Sequence, residues 1–215
     1  MPPFQGGGIN RYPTPPYECL RNIAKTSRIA QKGGRSIIYP MYYFDGVSTP
    51  LGRLHIVVSD DALCHIYFPT EKWTERHKRD PKHPLIILAK TQLAEYFAGD
   101  RRIFDLPLSP EGTDFQKKVW NTLRRIPYGK TWNYAEEAKR VGKANASRAV
   151  GSANGKNPLP IVIPCHRVVP KSGGFGGYSG GVHRKTLLLK LEQHYLAPTL
   201  KTSKKPTSKK SNVKK

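Results

Sequence analysis

Chemistry is concentrated in the stretch NPLPIVIPCHRVVP, residues 157–170, where Cys165 and His166 stand side by side between Pro164 and Pro170. An ionised thiol is a strong nucleophile, and an imidazole can take its proton. Adjacent residues of a regular strand point to opposite faces, so activation of Cys165 by His166 requires a bend or a bridging water. The run IVIPC reads as a short buried strand that delivers Cys165 to the end of a sheet or the floor of a cleft. An isolated cysteine is usually a small core hydrophobe; here a neighbouring imidazole and a basic domain are expected to lower the thiol pKa.

Two features downstream could serve such a nucleophile. GGFGGYSGG, residues 173–181, is six-ninths glycine and carries Tyr178 and Ser179 as its only hydrogen-bonding side chains. Such a loop lets backbone approach a flat ligand, or merely connects. The last helical segment, VHRKTLLLKLEQHYL, offers Leu187, Leu188 and Leu191 for packing. Its Glu192, taken alone, is a solvated carboxylate.

These groups need elements to hold them. Residues 37–70 alternate β-branched and aromatic residues between turn signals at Asp45-Gly46, Pro50 to Gly52 and Ser59 to Asp61, which predicts three short antiparallel strands. PLIILAKTQLAEYFAGD then spaces Leu85, Leu88, Ala89, Leu93 and Phe97 as a helix that stops at Gly99. Beyond FDLPLSPEG, Thr113 or Asp114 caps a helix with the stripe Phe115, Val119, Trp120 and Leu123. TWNYAEEAKRVG and NASRAVGSANG predict two short helices around a tight turn, a candidate helix-turn-helix. The expected fold class is α+β or α/β in two domains. An irregular basic leader (1–36) precedes a small sheet-plus-helix domain (37–106); a mostly helical domain (107–200), with a short strand leading to the cysteine, precedes a disordered lysine-rich tail (201–215).

The net charge of +22 is unevenly spread: residues 37–106 balance nine basic against nine acidic side chains, whereas 107–200 carry fifteen against five. That field favours a polyanion such as nucleic acid. The tail KTSKKPTSKKSNVKK, with seven lysines and no acid, reads as a nuclear localisation signal or a nonspecific nucleic-acid arm. That places the protein in a nucleus if the source is eukaryotic, and otherwise in the cytoplasm or nucleoid. No apolar run approaches the roughly 18 to 20 residues that span a bilayer, and MPPFQGGGIN does not read as a secretory signal. Cys19, Cys64 and Cys165 form no disulfide framework, and Cys19 and Cys64 with His55 and His65 show no metal-binding spacing, so zinc is not expected.

In order and spacing, FQKKVW, IPYGKTWNYAEEAKRVG, RAVGSANGKNPLPIVIPCHRVV and GGYSGG resemble the O6-alkylguanine-DNA alkyltransferases, closely over residues 107–197 and more loosely over 37–106. The resemblance implies direct-reversal DNA repair. The alkyl group of O6-alkylguanine, and of O4-alkylthymine, would pass irreversibly to Cys165 in a single turnover by a monomer on double-stranded DNA, with no cofactor. His166 and Glu192 would relay the thiol proton through a water, Tyr134 would donate to the departing purine, and Asn157 would order the active-site loop. Arg148 would fill the gap left by a base turned out of the duplex. Ala149, Gly151 and Ser152, with Tyr134, would bring the recognition helix close to the minor groove, Ser152 standing where the family pattern has a second glycine. Pro160, Val168, Tyr178, Ser179 and Gly180 would form the base pocket.

Three other functions fit parts of the pattern. A noncatalytic binder of the alkyltransferase-like kind lacks the cysteine that this chain keeps. A thiol hydrolase would need Cys165 and His166 to pair directly, which adjacency disfavours. A structural DNA binder leaves the proline-fenced cysteine and the glycine loop without a purpose.

Overall fold

The computed structural model describes residues 28–32, 35–39, 41–69 and 77–196. Most of the leader and the lysine tail, and with them the nuclear reading, lie outside the described residues. β1 (Arg28–Lys32) and β2 (Arg35–Tyr39) pair as an antiparallel hairpin, Lys32 opposite Arg35, so the leader is not irregular throughout. The chain between those two residues is Gly33-Gly34, a dipeptide that favours hairpin turns.

The three predicted strands are β3 (Tyr43–Thr49), β4 (Gly52–Val58) and β5 (Leu63–Tyr67), and β6 (Lys78–Arg79) adds a parallel edge in the order β5-β4-β3-β6. Leu54, Ile56 and Val58 of β4 are buried with Ile66 and Phe68 on one face of the sheet, and Val57, on the other face, is buried as well. The first face is covered by α1 (Pro84–Ala98), which begins with proline at its first turn and ends at Gly99, whose φ is 86°. The buried stripe is Leu85, Ile86, Ala89, Gln92, Leu93 and Tyr96, so Tyr96 takes the inward position predicted for Phe97.

In the second half α2 (Asp114–Leu123) opens with a capping box between Thr113 and Gln116. The helix-turn-helix is α3 (Tyr134–Arg140) and α4 (Ser147–Gly155). Asn133 caps α3 with Glu136, whereas α4 starts after Ala146 with no side-chain cap. The indole of Trp120 donates to the Ala153 carbonyl at 2.9 Å, pinning α4 to α2. β7 (Trp132–Asn133) pairs in parallel with β8 (Val168–Val169), and α5 (Val182–Leu196) closes the described chain.

The fold class is the expected α+β one, with one local correction: no strand leads into Cys165. Residues 157–164 form a tight loop with a single bridge between Pro160 and Ile163, and Ile161 has φ 75°. Pro158, Pro160 and Pro164 lack N–H groups, so a ladder cannot form. The strand comes after the cysteine, as β8.

Candidate active site

The loop before Cys165 is held by one side chain. Asn157 Nδ2 donates to the Ile163 carbonyl at 2.8 Å and to Cys165 Sγ at 3.1 Å, while its Oδ1 accepts from Leu159 N at 3.0 Å. An asparagine thus replaces the backbone partners that the prolines remove. From the other domain, Ile66 N donates to the Pro158 carbonyl at 2.9 Å and braces the same loop. A β-branched residue at positive φ, as at Ile161, is strained and persists only when its surroundings over-determine it.

Cys165 begins a single 3-10 turn, Cys165–Arg167. Successive residues of such a turn are 120° apart, not 180°, so three neighbours point three ways. This removes the geometric objection raised by strand geometry. Cys165 is only 4% exposed, yet it lies on the wall of a cavity of about 320 Å³ lined also by Tyr134, Gly151, Asn154, Gly155, Gly177, Tyr178 and Ser179. Burial pushes the thiol up, and hydrogen bonds from Asn157 and Tyr178 with the charge of Lys185 bring it only part of the way back. The expected lowering is therefore wrong in sign, because the sulfur leaves water before it meets a cation. The thiol rests protonated and needs a base.

That base has a defined tautomer. His166 and Glu192 are both fully buried, with His166 Nε2 2.8 Å from Glu192 Oε1. The carboxylate also accepts from Tyr96 Oη at 2.7 Å, Gly129 N at 2.8 Å and the Arg167 guanidinium at 2.9 Å. Burial would raise the Glu192 carboxyl, but the hydrogen bonds from His166 and Arg167 and the Arg167 charge outweigh it and hold it at about 2. Burial drives His166 the other way, down toward the neutral imidazole, against the pull of Glu192. Arg167 is the cation that answers Glu192, so we assign His166 as neutral with Nε2–H donating. Its Nδ1 is then a lone pair, and it has no hydrogen-bonding partner among the described residues. Gly129 has φ 68°, and a Cβ there would lie 1.9 Å from a Leu196 methyl; only glycine brings this N–H to Glu192.

Among the residues expected in the base pocket, Tyr178 and Ser179 line the cavity. Pro160, Val168 and Gly180 do not line it. Pro160 is consumed in the loop, Val168 is buried in β8 with its carbonyl accepting from Lys185 Nζ at 2.6 Å, and Gly180 packs under Phe68. A Cβ on Gly180 would come 2.5 Å from that ring, so the first domain sets the height of the Tyr178 loop. On α4, Arg148, Ala149 and Ser152 are exposed, and Arg148 makes no hydrogen bond or ion pair among the described residues. Gly151 faces the cavity with Tyr134, whose phenol is raised chiefly by burial.

Tyr96, Arg167 and Lys185 were not singled out in the sequence, although Arg167 lies inside the quoted motif. Lys185 is 1% exposed, and burial lowers its pKa. Among the described residues no group of three His, Cys, Asp or Glu side chains stands close enough to hold a metal ion, and no helix is long and apolar enough to cross a membrane.

Two family models match almost the whole described region. One, for the 6-O-methylguanine DNA methyltransferase ribonuclease-like domain, covers residues 38–110, and one for its DNA binding domain covers 114–194. The constitutive methylated-DNA--protein-cysteine methyltransferase of Bacillus subtilis is 44% identical over 159 residues, 71% of this chain and 96% of that protein. The crystal structure of the Mycobacterium tuberculosis O6-methylguanine methyltransferase superposes with a TM-score of 0.69 at 40% identity, over 74% of this chain and 96% of that one. The structure of M. tuberculosis OGT in complex with DNA gives 0.67 at 40% identity, over 72% and 94%.

Proposed function

This chain belongs to the 6-O-methylguanine DNA methyltransferase family, DNA-repair enzymes that transfer an alkyl group to a cysteine, and from that premise we propose that Cys165 is the acceptor, used once. One observation carries the reading. The sulfur lies on the wall of a cavity shared with Tyr134 and the recognition helix α4, beside a buried imidazole that has a free acceptor nitrogen.

The partner is double-stranded DNA carrying O6-alkylguanine. The alkylated oxygen is out of reach inside a duplex, so the nucleotide rotates into the cavity at a cost of a few kcal/mol. The exposed Arg148 guanidinium, flat and cationic, takes the vacated place in the stack, while Ala149, Gly151 and Ser152 let α4 approach the minor groove. A water passes the Cys165 proton to His166 Nδ1, and Glu192 stabilises the imidazolium that results. The thiolate attacks the alkyl carbon, the carbon–O6 bond breaks, and its electron pair stays on the purine. Tyr134 donates a hydrogen bond to the leaving ring, which then takes up a proton. The new thioether has no good leaving group, so the protein turns over once. O4-alkylthymine fits the same displacement chemistry.

Arg148→Ala is expected to slow repair of O6-methylguanine in duplex by roughly a hundredfold while changing reaction with free O6-benzylguanine less than about threefold, since only the duplex demands extrusion. Paired single-turnover assays of lesion loss and benzyl transfer measure both. Equal losses would remove the stack-filling role, and a wild-type protein inert toward both substrates would refute the repair function.

A further inference from the structure

A second cavity, of about 510 Å³, borders the loop before Cys165, and arginines dominate its wall. Arg102, Arg124, Arg125 and Arg167 line it together with Ile161 and Pro164. It shares no lining residue with the cavity at Cys165, although Pro164 and Cys165 are neighbours in the chain, so the loop is a partition between two separate recesses. No Asp or Glu lines the arginine recess.

The four cations differ in what they already hold. Arg167 is committed to Glu192 and to the Ile126 carbonyl, at 2.9 and 2.7 Å. Arg102, Arg124 and Arg125 are exposed, and none of them pairs with a carboxylate among the described residues. Arg102 reaches only the Tyr195 carbonyl, at 3.4 Å, and lies 5.8 Å from the centroid of the Tyr128 ring.

The dipole of α2 accounts for part of this cluster, because Arg124 and Arg125 directly follow its last turn, where a cation meets unsatisfied carbonyls. It does not account for Arg102, which arrives from the segment between α1 and α2, or for the exclusion of acids. Like charges gathered in a recess repel one another, and a recess of one sign focuses its field outward and draws in anions. The planar fork of a guanidinium matches the paired oxygens of a phosphate.

We propose that this recess is a second nucleic-acid contact, in which Arg102, Arg124 and Arg125 hold backbone phosphates of DNA outside the stretch that α4 engages. DNA is favoured over a free phosphate because all three arginines are exposed, whereas a site for a small anion encloses its ligand with buried partners. The contact adds affinity for duplex of any sequence and leaves the chemistry at Cys165 alone. It rests on the DNA partner proposed above, but not on alkyl transfer.

The test measures binding of an undamaged duplex of roughly 40 base pairs at several salt concentrations between about 50 and 200 mM. Wild type is compared with Arg124→Gln/Arg125→Gln and with Lys78→Gln/Lys82→Gln, which removes the same charge from exposed positions of the first domain. The arginine pair is expected to lower the slope of log K against log salt by about 1.8, roughly 0.9 for each phosphate contact, and the lysine pair by less than about 0.5. Reaction with free O6-benzylguanine should change less than about twofold in both variants. An unchanged slope in the arginine variant, or an equal fall in the lysine variant, overturns the inference. Phenylglyoxal modification of Arg124 and Arg125, read by peptide mass at fixed ionic strength, identifies the source of the phosphate. Duplex is expected to suppress it and millimolar inorganic phosphate is not; suppression by inorganic phosphate alone overturns the assignment to DNA. A wild type that binds no duplex refutes the DNA partner itself, whereas one that binds with slopes unaltered by the arginine pair loses only this second contact.

Discussion

Cys165→Ser is expected to abolish alkyl transfer, by roughly 10³-fold or more, while duplex affinity stays within about twofold of wild type. A hydroxyl gives up its proton far less readily than a thiol, and even this thiol is held protonated by burial. One neutral imidazole, sufficient for a thiol, would not ionise a serine to any useful extent. The fold should not notice the change. Serine is close in size, and its oxygen can accept from Asn157 Nδ2, which now donates to the sulfur at 3.1 Å. The exposed face of α4, where DNA is proposed to bind, carries no contact to Cys165 that the substitution removes. Gel-shift titration alongside a repair assay separates the two readouts; parallel loss of binding would make the cysteine structural.

Glu192→Gln should be the most damaging change that leaves the nucleophile in place. The carboxylate answers Arg167, His166, Tyr96 and Gly129 together, and all of these groups are out of solvent. A neutral amide leaves the Arg167 charge buried without its counterion, a defect worth about 3 to 5 kcal/mol. It also ceases to fix the His166 tautomer and to stabilise the imidazolium, so transfer should fall by roughly a hundredfold in whatever protein stays folded. The pH dependence has a definite sign. Glu192 falls from an ordinary 4.5 to about 2 in the folded chain, so its stabilisation is complete above pH 4.5 and drains away as the pH falls toward 2. That shift corresponds to about 3 kcal/mol. Urea unfolding of wild type between pH 6 and pH 3 should show about 2 kcal/mol of this loss, the remainder falling below pH 3, and the variant should be flat across the part of the range that Glu192 controls.

Much of the framework could be read from spacing, and what could not has specific causes. The cap at Thr113, the stop at Gly99 and the three strands depend on local rules, and local rules survive folding. The approach to Cys165 failed because IVI was weighed as β-branched residues, when the surrounding prolines remove the donors a strand requires. Charged residues hid the rest. In α3 the series Tyr134, Glu137, Ala138, Val141 has the spacing i, i+3, i+4, i+7, and in α5 Lys185, Leu188 and Glu192 have i, i+3, i+7. Both are buried stripes interrupted by a charge, and hydrophobicity alone discards them. Glu192 could be placed inside only through the family resemblance, and Glu137 not at all. The sign of the Cys165 shift was equally invisible, because it depends on how far the sulfur is withdrawn from water.

The most direct test of the central claim is the mass of the peptide containing Cys165 after incubation with one equivalent of duplex bearing a single O6-methylguanine. The expected result is one added methyl group on that peptide, located on the sulfur, in proportion to guanine restored and with no second round when more lesion is supplied. An unmodified Cys165 peptide with the lesion intact, or a methyl group on Cys64 instead, would contradict it.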